Sequence, residues 1–361
     1  MNLPEQTGSP SGLVPLLWKE RRLFILDQRL LPGTEQYGEA RDAEAVAQAI
    51  VEMQLRGAPL IGVAAAYGVA LEARRLLDSP PRAGFHDRMR QAVSRLMDCR
   101  PTAVNLMRAL APAGSWLDQE IDPMDFVSRS ETWAHRLAQM ETRACDVMGR
   151  LGADCLRPGS RILTHCNTGR LATVGTGTAL AVVREAVRRD PSCQITCTET
   201  RPWLQGARLT AYELSREGIP VDLVTESVAG NRLLDQAIDF FIVGADRIGP
   251  DGWVANKVGT RMLAQLARTG GARTLVVAPT TTIDWEWKSG QLIPIERRGG
   301  DELWRATGMP QIPPGIHIDN PVFDLTPPGL IDWIVTEKGV IEPARGEGFD
   351  PRRFASPEEV H

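Results

Sequence analysis

A chain of 361 residues with 43% hydrophobic content is long enough to bury a sizeable core, and its length favours two domains over one. Its 41 basic and 45 acidic residues are interspersed, so the formal net charge of −4 supplies no cationic field for nucleic acid or an anionic membrane surface. The longest apolar stretches, such as 58–71, are broken by Gly and Pro and fall short of a membrane-spanning length.

Residues 1–12 and the polar tail from Arg345 are too rich in Gly, Pro, Ser or charge to bury apolar surface, and are expected to be flexible. Two β-like runs, 16–18 and 23–26, followed by Leu31-Pro32-Gly33, predict a small antiparallel element closed by a turn. Apolar residues at helical spacing then predict helices over 43–54, 58–77, 86–98, 102–112 and about 128–156. From Ser160 the period changes. Runs at 161–165, 194–198, 220–225, 239–243 and 273–278 read as strands alternating with helical segments, the pattern of a doubly wound parallel sheet. The fold class is therefore α/β: a mostly helical N-terminal domain with a small antiparallel sheet (13–127), a connecting helix (128–158) and a parallel-sheet domain (159–344).

Six cysteines, Cys99, Cys145, Cys155, Cys166, Cys193 and Cys197, accompany a polar chain start without a signal-peptide core. They read as reduced thiols of a cytoplasmic protein. No Cys-x-x-Cys pair and no histidine pair at helical spacing points to a metal. The Gly-x-Gly at 175–177 lacks the third glycine of a dinucleotide fingerprint, so no nicotinamide cofactor is expected.

Ligands of a doubly wound sheet bind beyond the carboxyl ends of its strands. On that rim Cys166 opens a Cys-Asn-Thr-Gly turn followed by the Gly/Thr-rich start of a helix. There a thiolate would act as base or nucleophile, and backbone N–H groups suit a phosphate. Asp246 stands where the apolar strand ending at Val243 meets the cleft, a place suited to a general acid; its competing role is a cap or a partner for Arg247. Asn256 and Lys257 precede a helix and suit phosphate or hydroxyl oxygens. The segment 199–208, with Gln205, reads as a ligand loop. Arg56-Gly57-Ala58 and Arg100 each place a guanidinium at a helix start. His165, on the opposite face of its strand from Cys166, reads as a packing residue.

Six motifs now stand in order: RGAPLIG (56–62), RPTAVNL (100–106), HCNTGRLAT (165–173), ETRPWLQGARLTAYEL (199–214), GADR (244–247) and NKVGT (256–260). Together they resemble the methylthioribose-1-phosphate isomerases of methionine salvage, over a span from about Leu23 to Gly339. The resemblance implies a Rossmann-like C-terminal domain, a homodimer, a small sugar-phosphate substrate, and an aldose-to-ketose isomerisation that keeps phosphate on C1 and needs no cofactor or metal. It places the catalytic pair on Cys166 and Asp246. Substrate contacts fall on Arg56, Gly57, Ala58, Arg100, Gln205, Asn256 and Lys257. Arg170, Glu226 and Trp253 depart from the usual pattern and bear on the pocket for the 5-substituent. That leaves 5-deoxyribose 1-phosphate or ribose 1,5-bisphosphate as alternative substrates, and a non-catalytic regulatory subunit of the translation-initiation exchange factor as an alternative role.

Overall fold

The protein is described by a computed structural model over residues 13–79, 84–100, 104–285 and 289–343. The tails expected to be flexible lie outside the described residues. The chain forms two compact units. One holds the described residues up to Arg143 together with Arg170–Gly177; the other holds Ala144–Gly169 and the described residues from Thr178 onward.

In the first unit, β1 (Leu16–Lys19), β2 (Arg22–Leu26) and β3 (Tyr37–Ala40) form an antiparallel sheet in that order. The hairpin between β1 and β2 closes at Glu20-Arg21, both at positive φ (51° and 59°), the two-residue turn whose twist matches the flanking strands. The turn expected at Leu31-Pro32-Gly33 is present as well, in the connection from β2 to its antiparallel neighbour β3. Helices α1 (Ala43–Val51), α2 (Ala58–Asp78), α3 (Phe85–Met97), α4 (Val104–Asp118) and α5 (Pro123–Asp154) follow. Asp42 caps α1 by accepting the Ala45 N–H at 2.8 Å, satisfying a donor that the helix cannot. α2 is apolar on nearly every side, so it is the buried centre of this unit, with Leu60, Val63, Ala64 and Leu76 fully enclosed. Burying each leucine contributes roughly 2 kcal/mol. α4 runs on past Pro112, beyond its expected end.

The second unit is built on β4 (Arg161–Thr164), α6 (Ala179–Arg189), β5 (Gln194–Thr198), α7 (Ala211–Arg216), β6 (Asp222–Val224), α8 (Glu226–Leu234), β7 (Phe240–Val243), β8 (Arg247–Ile248), β9 (Val254–Lys257), α9 (Thr260–Gly270), β10 (Arg273–Val277), α10 (Gly300–Arg305), β11 (Phe323–Thr326), β12 (Trp333–Thr336) and β13 (Gly339–Ile341). Among the described residues, seven strands form one sheet in the order β13-β12-β10-β7-β4-β5-β6. All its pairings are parallel except β12 with β13. Numbered along the chain, the six parallel strands read 3-2-1-4-5-6, the doubly wound order, so the direction of winding reverses between β4 and β7. All five strands expected from sequence are present. A small sheet of order β11-β9-β8, absent from that reading, accompanies them. The central strands of the main sheet are buried on both faces, as in Phe240-Phe241-Ile242-Val243, whereas the edge strands β6 and β13 are not.

Candidate active site

Cys166 and Asp246 follow the carboxyl ends of β4 and β7, the two strands that flank the reversal of winding. The crevice at such a reversal is where open α/β sheets bind ligands. Cys166 is buried and takes a left-handed backbone conformation (φ 68°). Its amide donates to Thr200 Oγ1 at 2.9 Å, its carbonyl accepts from Thr210 Oγ1 at 2.6 Å, and its Sγ lies 3.3 Å from Gln205 Nε2, which donates to it. These partners come from the segment after β5 rather than from the start of α6, the expected neighbour of the thiol. At the start of α6 the Thr168 carbonyl instead accepts the Thr178 N–H at 2.8 Å.

The segment after β5 reaches Cys166 from both ends because it contains a π-helical turn, Gly206–Thr210. Gly206 is dictated by packing: a Cβ there would lie 1.8 Å from the Thr198 carbonyl oxygen. Gln205 is buried, and its Oε1 has no hydrogen-bond partner among the described residues, leaving an acceptor beside the thiol. A buried amide oxygen left without a donor is costly. Arg208 stacks over the Trp203 ring at 4.1 Å, and Arg201 donates to the Leu303 carbonyl at 2.8 Å.

Asp246 is half-buried. Its amide pairs with the Ala255 carbonyl at 3.0 Å, and its carboxylate makes no hydrogen bond or ion pair with any described residue. The competing role as partner of Arg247 is excluded, because Arg247 is buried and pairs with Asp284 at 3.3 Å. The side chain at 246 is thus available for chemistry.

Asn256 and Lys257 lie on β9, opposite Asp324 and Phe323 of β11. Asn256 Nδ2 donates to Thr260 Oγ1 at 3.1 Å. Lys257 Nζ donates to the Val322 carbonyl at 2.8 Å and sits over the Phe323 ring. The expected open helix start is filled by the protein itself: Asp324 accepts the Gly259 N–H at 2.7 Å and the Arg261 N–H at 3.1 Å. Burial raises the Asp324 carboxyl to about 6, against those two amides.

Several buried groups around Cys166 have no counterpart in the sequence reading. Asn167 Nδ2 donates to Glu213 Oε1 at 2.8 Å, and Glu213 also accepts from Arg184 at 2.9 Å; Arg184 binds Glu217 as well. Glu226, flagged as a departure, accepts the Thr200 N–H at 2.7 Å. His165 is fully buried, with both ring nitrogens engaged, and burial pushes the imidazole down to about 4 against the opposing pull of Glu226.

In the first unit, Gly57 precedes α2 at φ 108°, and a Cβ there would meet Ala172 within 2.6 Å of its Cα, so glycine is required twice over. Ala58 begins α2. Arg56 and Arg100 are half-buried, and Pro101 and Thr102 of the RPT motif lie outside the described residues. Arg170 belongs to this unit, and Trp253 is half-buried in the turn between β8 and β9 of the other.

The profile of the Initiation factor 2 subunit family matches residues 54–343. The chain is 47% identical over 327 residues to the methylthioribose-1-phosphate isomerase of Thioalkalivibrio sulfidiphilus, covering 91% of this chain and 93% of that one. It is similar to the crystal structure of 5-methylthioribose 1-phosphate isomerase from Pyrococcus horikoshii OT3, with TM-score 0.83, 38% identity and 94% of each chain covered. It is also similar to a structure described as translation initiation factor eIF-2B subunit delta from A. fulgidus, with TM-score 0.81, 36% identity, and 93% and 98% of the two chains covered.

Proposed function

The chain belongs to the Initiation factor 2 subunit family, and from that premise we propose that it converts 5-methylthioribose 1-phosphate into 5-methylthioribulose 1-phosphate, with Cys166 and Asp246 as the reacting groups. The observation that carries this reading is the pair of side chains flanking the reversal of winding: a buried thiol on an amide donor and a carboxyl with no partner among the described residues.

A furanose 1-phosphate cannot open to a free aldehyde without losing its phosphate, so the ring must be opened with the phosphate in place. Cys166, as thiolate, takes the C2 proton. The electron pair forms the C1–C2 double bond as C1–O4 breaks, and Asp246 delivers a proton to O4. The thiol then returns its proton to C1, and the carboxylate takes the proton from O2 as the C2 carbonyl forms. Both groups end in their starting states, the phosphate stays on C1, and no external oxidant or base is consumed. The Gln205 amide beside the sulfur fits a role in holding a sugar hydroxyl. Asn256 and Lys257 are proposed contacts from the same unit; for Arg56, Gly57, Ala58 and Arg100 a substrate-binding role is proposed. A cytoplasmic homodimer is the assembly that accompanies this reading.

The test is NMR of the purified protein with 5-methylthioribose 1-phosphate and, separately, 5-deoxyribose 1-phosphate. The expected outcome is ketose 1-phosphate from the methylthio sugar, lost in Cys166→Ser and in Asp246→Asn. Turnover of the deoxy sugar alone would reassign the substrate. Inactivity on both would favour the second reading, a non-catalytic subunit, which the similarity to the eIF-2B structure brings forward.

A further inference from the structure

Behind Cys166 runs a chain of buried hydrogen bonds that no reacting atom joins. His165 Nε2 lies 3.0 Å from the Val258 carbonyl oxygen, and Nδ1 lies 2.7 Å from Thr198 Oγ1. Thr198 Oγ1 is 2.9 Å from Thr200 Oγ1, which accepts the Cys166 N–H at 2.9 Å. His165, Thr198, Thr200 and Cys166 are all buried, so water does not compete for these groups.

The direction of the chain follows from its ends. A carbonyl only accepts, so Nε2 carries the hydrogen, and Nδ1 of the neutral ring is an acceptor. The single hydrogen of Thr198 then points to Nδ1, and that of Thr200 points to Thr198. The lone pairs of Thr200 Oγ1 are left for the Cys166 amide. Thr200 is itself anchored through its amide, which donates to Glu226 Oε1 at 2.7 Å. Cys166 and Thr200 both stand at positive φ, 68° and 64°, a conformation that side-chain-bearing residues keep only where their surroundings enforce it.

We propose that His165 and Thr200 are positioning residues for Cys166: the Nε2–H tautomer of His165, set by the Val258 carbonyl, orients two threonine hydroxyls so that Thr200 holds Cys166 left-handed with its sulfur on Gln205. His165 thereby acts on the site through this hydrogen-bonded chain, beyond the packing role expected of it. The kinetic part of the test rests on the assignment of Cys166 to the isomerisation; the structural part does not.

The variants are Thr200→Val, which keeps the shape and removes the hydroxyl, and Thr200→Ser, which restores the hydroxyl. In Thr200→Val, kcat falls about tenfold or more while KM stays within about threefold, since a displaced thiol affects the reacting geometry more than ground-state binding. Thr200→Ser recovers to within about threefold of the parent. NMR hydrogen exchange shows the Cys166 amide losing protection in Thr200→Val and regaining it in Thr200→Ser. Imidazole ¹⁵N shifts of His165 in the unsubstituted protein report a protonated Nε2 and an unprotonated Nδ1. Unchanged kcat or unchanged Cys166 amide protection in a folded Thr200→Val protein overturns the proposal, as does an Nδ1–H tautomer. If the parent protein isomerises no sugar phosphate, the functional reading fails on its own, and amide exchange and the tautomer still decide whether the relay exists.

Discussion

At the scale of single residues, buried charges brace the turn that carries Cys166. Glu213 is completely buried, between Asn167, the neighbour of Cys166, and Arg184. Removing one member of a buried ion pair strands the other and commonly costs 3–5 kcal/mol. Here Arg184 keeps Glu217 at 2.6 Å, so Glu213→Gln leaves a compensated cation and should cost nearer 2 kcal/mol. Urea unfolding of Glu213→Gln checks this. A loss below about 0.5 kcal/mol would mean that Glu217 alone satisfies Arg184. This network also marks the limit of what the sequence discloses about the site. The rim positions of Cys166 and Asp246 were legible because the rim of a parallel sheet is a short list of positions. The partners of Cys166 were not, because Thr200, Gln205 and Thr210 follow at distances set by the turn after β5, and no local periodicity encodes which of them folds back. The protein-filled start of α9 was hidden for the same reason: Asp324 lies 65 positions beyond Gly259.

At the scale of elements, a helix position where propensity and packing disagree gives a sharp test. In an isolated helix, replacing glycine with alanine gains about 1 kcal/mol. On α5, a Cβ at Gly152 would lie 2.3 Å from Val182 Cγ2 on α6, within the same unit. Val182 is fully buried and β-branched, so it has little freedom to turn away, and overpacking of this kind costs about 1–3 kcal/mol. Packing outweighs propensity, so Gly152→Ala is expected to lower the unfolding temperature. An increase would show that α5 shifts to make room. Helices α1 to α5 and five of the seven main-sheet strands were legible as elements because each carries a periodic or largely apolar pattern; β12 and β13 were not read. β8, β9 and β11 were not: Arg247-Ile248, Val254-Ala255-Asn256-Lys257 and Phe323-Asp324-Leu325-Thr326 are too short and too polar for a period to emerge, and β11 pairs with β9 across more than sixty intervening residues. The hairpin turn at Glu20-Arg21 was missed because it lacks the glycine or asparagine that usually marks such a turn.

At the scale of the whole molecule, the buried His165 and the half-buried Asp324 give the acid response opposite signs. His165 titrates near 6.5 when unfolded and at about 4 when folded. As pH falls from about 6.5 to about 4, the unfolded chain takes up a proton that the folded protein refuses, and stability is lost. Asp324 titrates near 3.9 when unfolded and at about 6 when folded. As pH falls through about 6 towards 3.9, the folded protein takes up its proton first, and stability is gained. The windows overlap, so the unsubstituted protein should show a shallow stability profile between pH 6 and about 4. Asp324→Asn removes the gain while its amide oxygen still accepts the Gly259 N–H, so the His165 loss is exposed. Between pH 6.5 and 4.5 the variant should lose about 2 kcal/mol more than the parent in urea unfolding. The sign of the difference is the decisive quantity: parallel profiles would mean that Asp324 is ionised in the folded protein across this range, its carboxylate held by Lys257, Arg261 and the helix amides strongly enough to overcome burial.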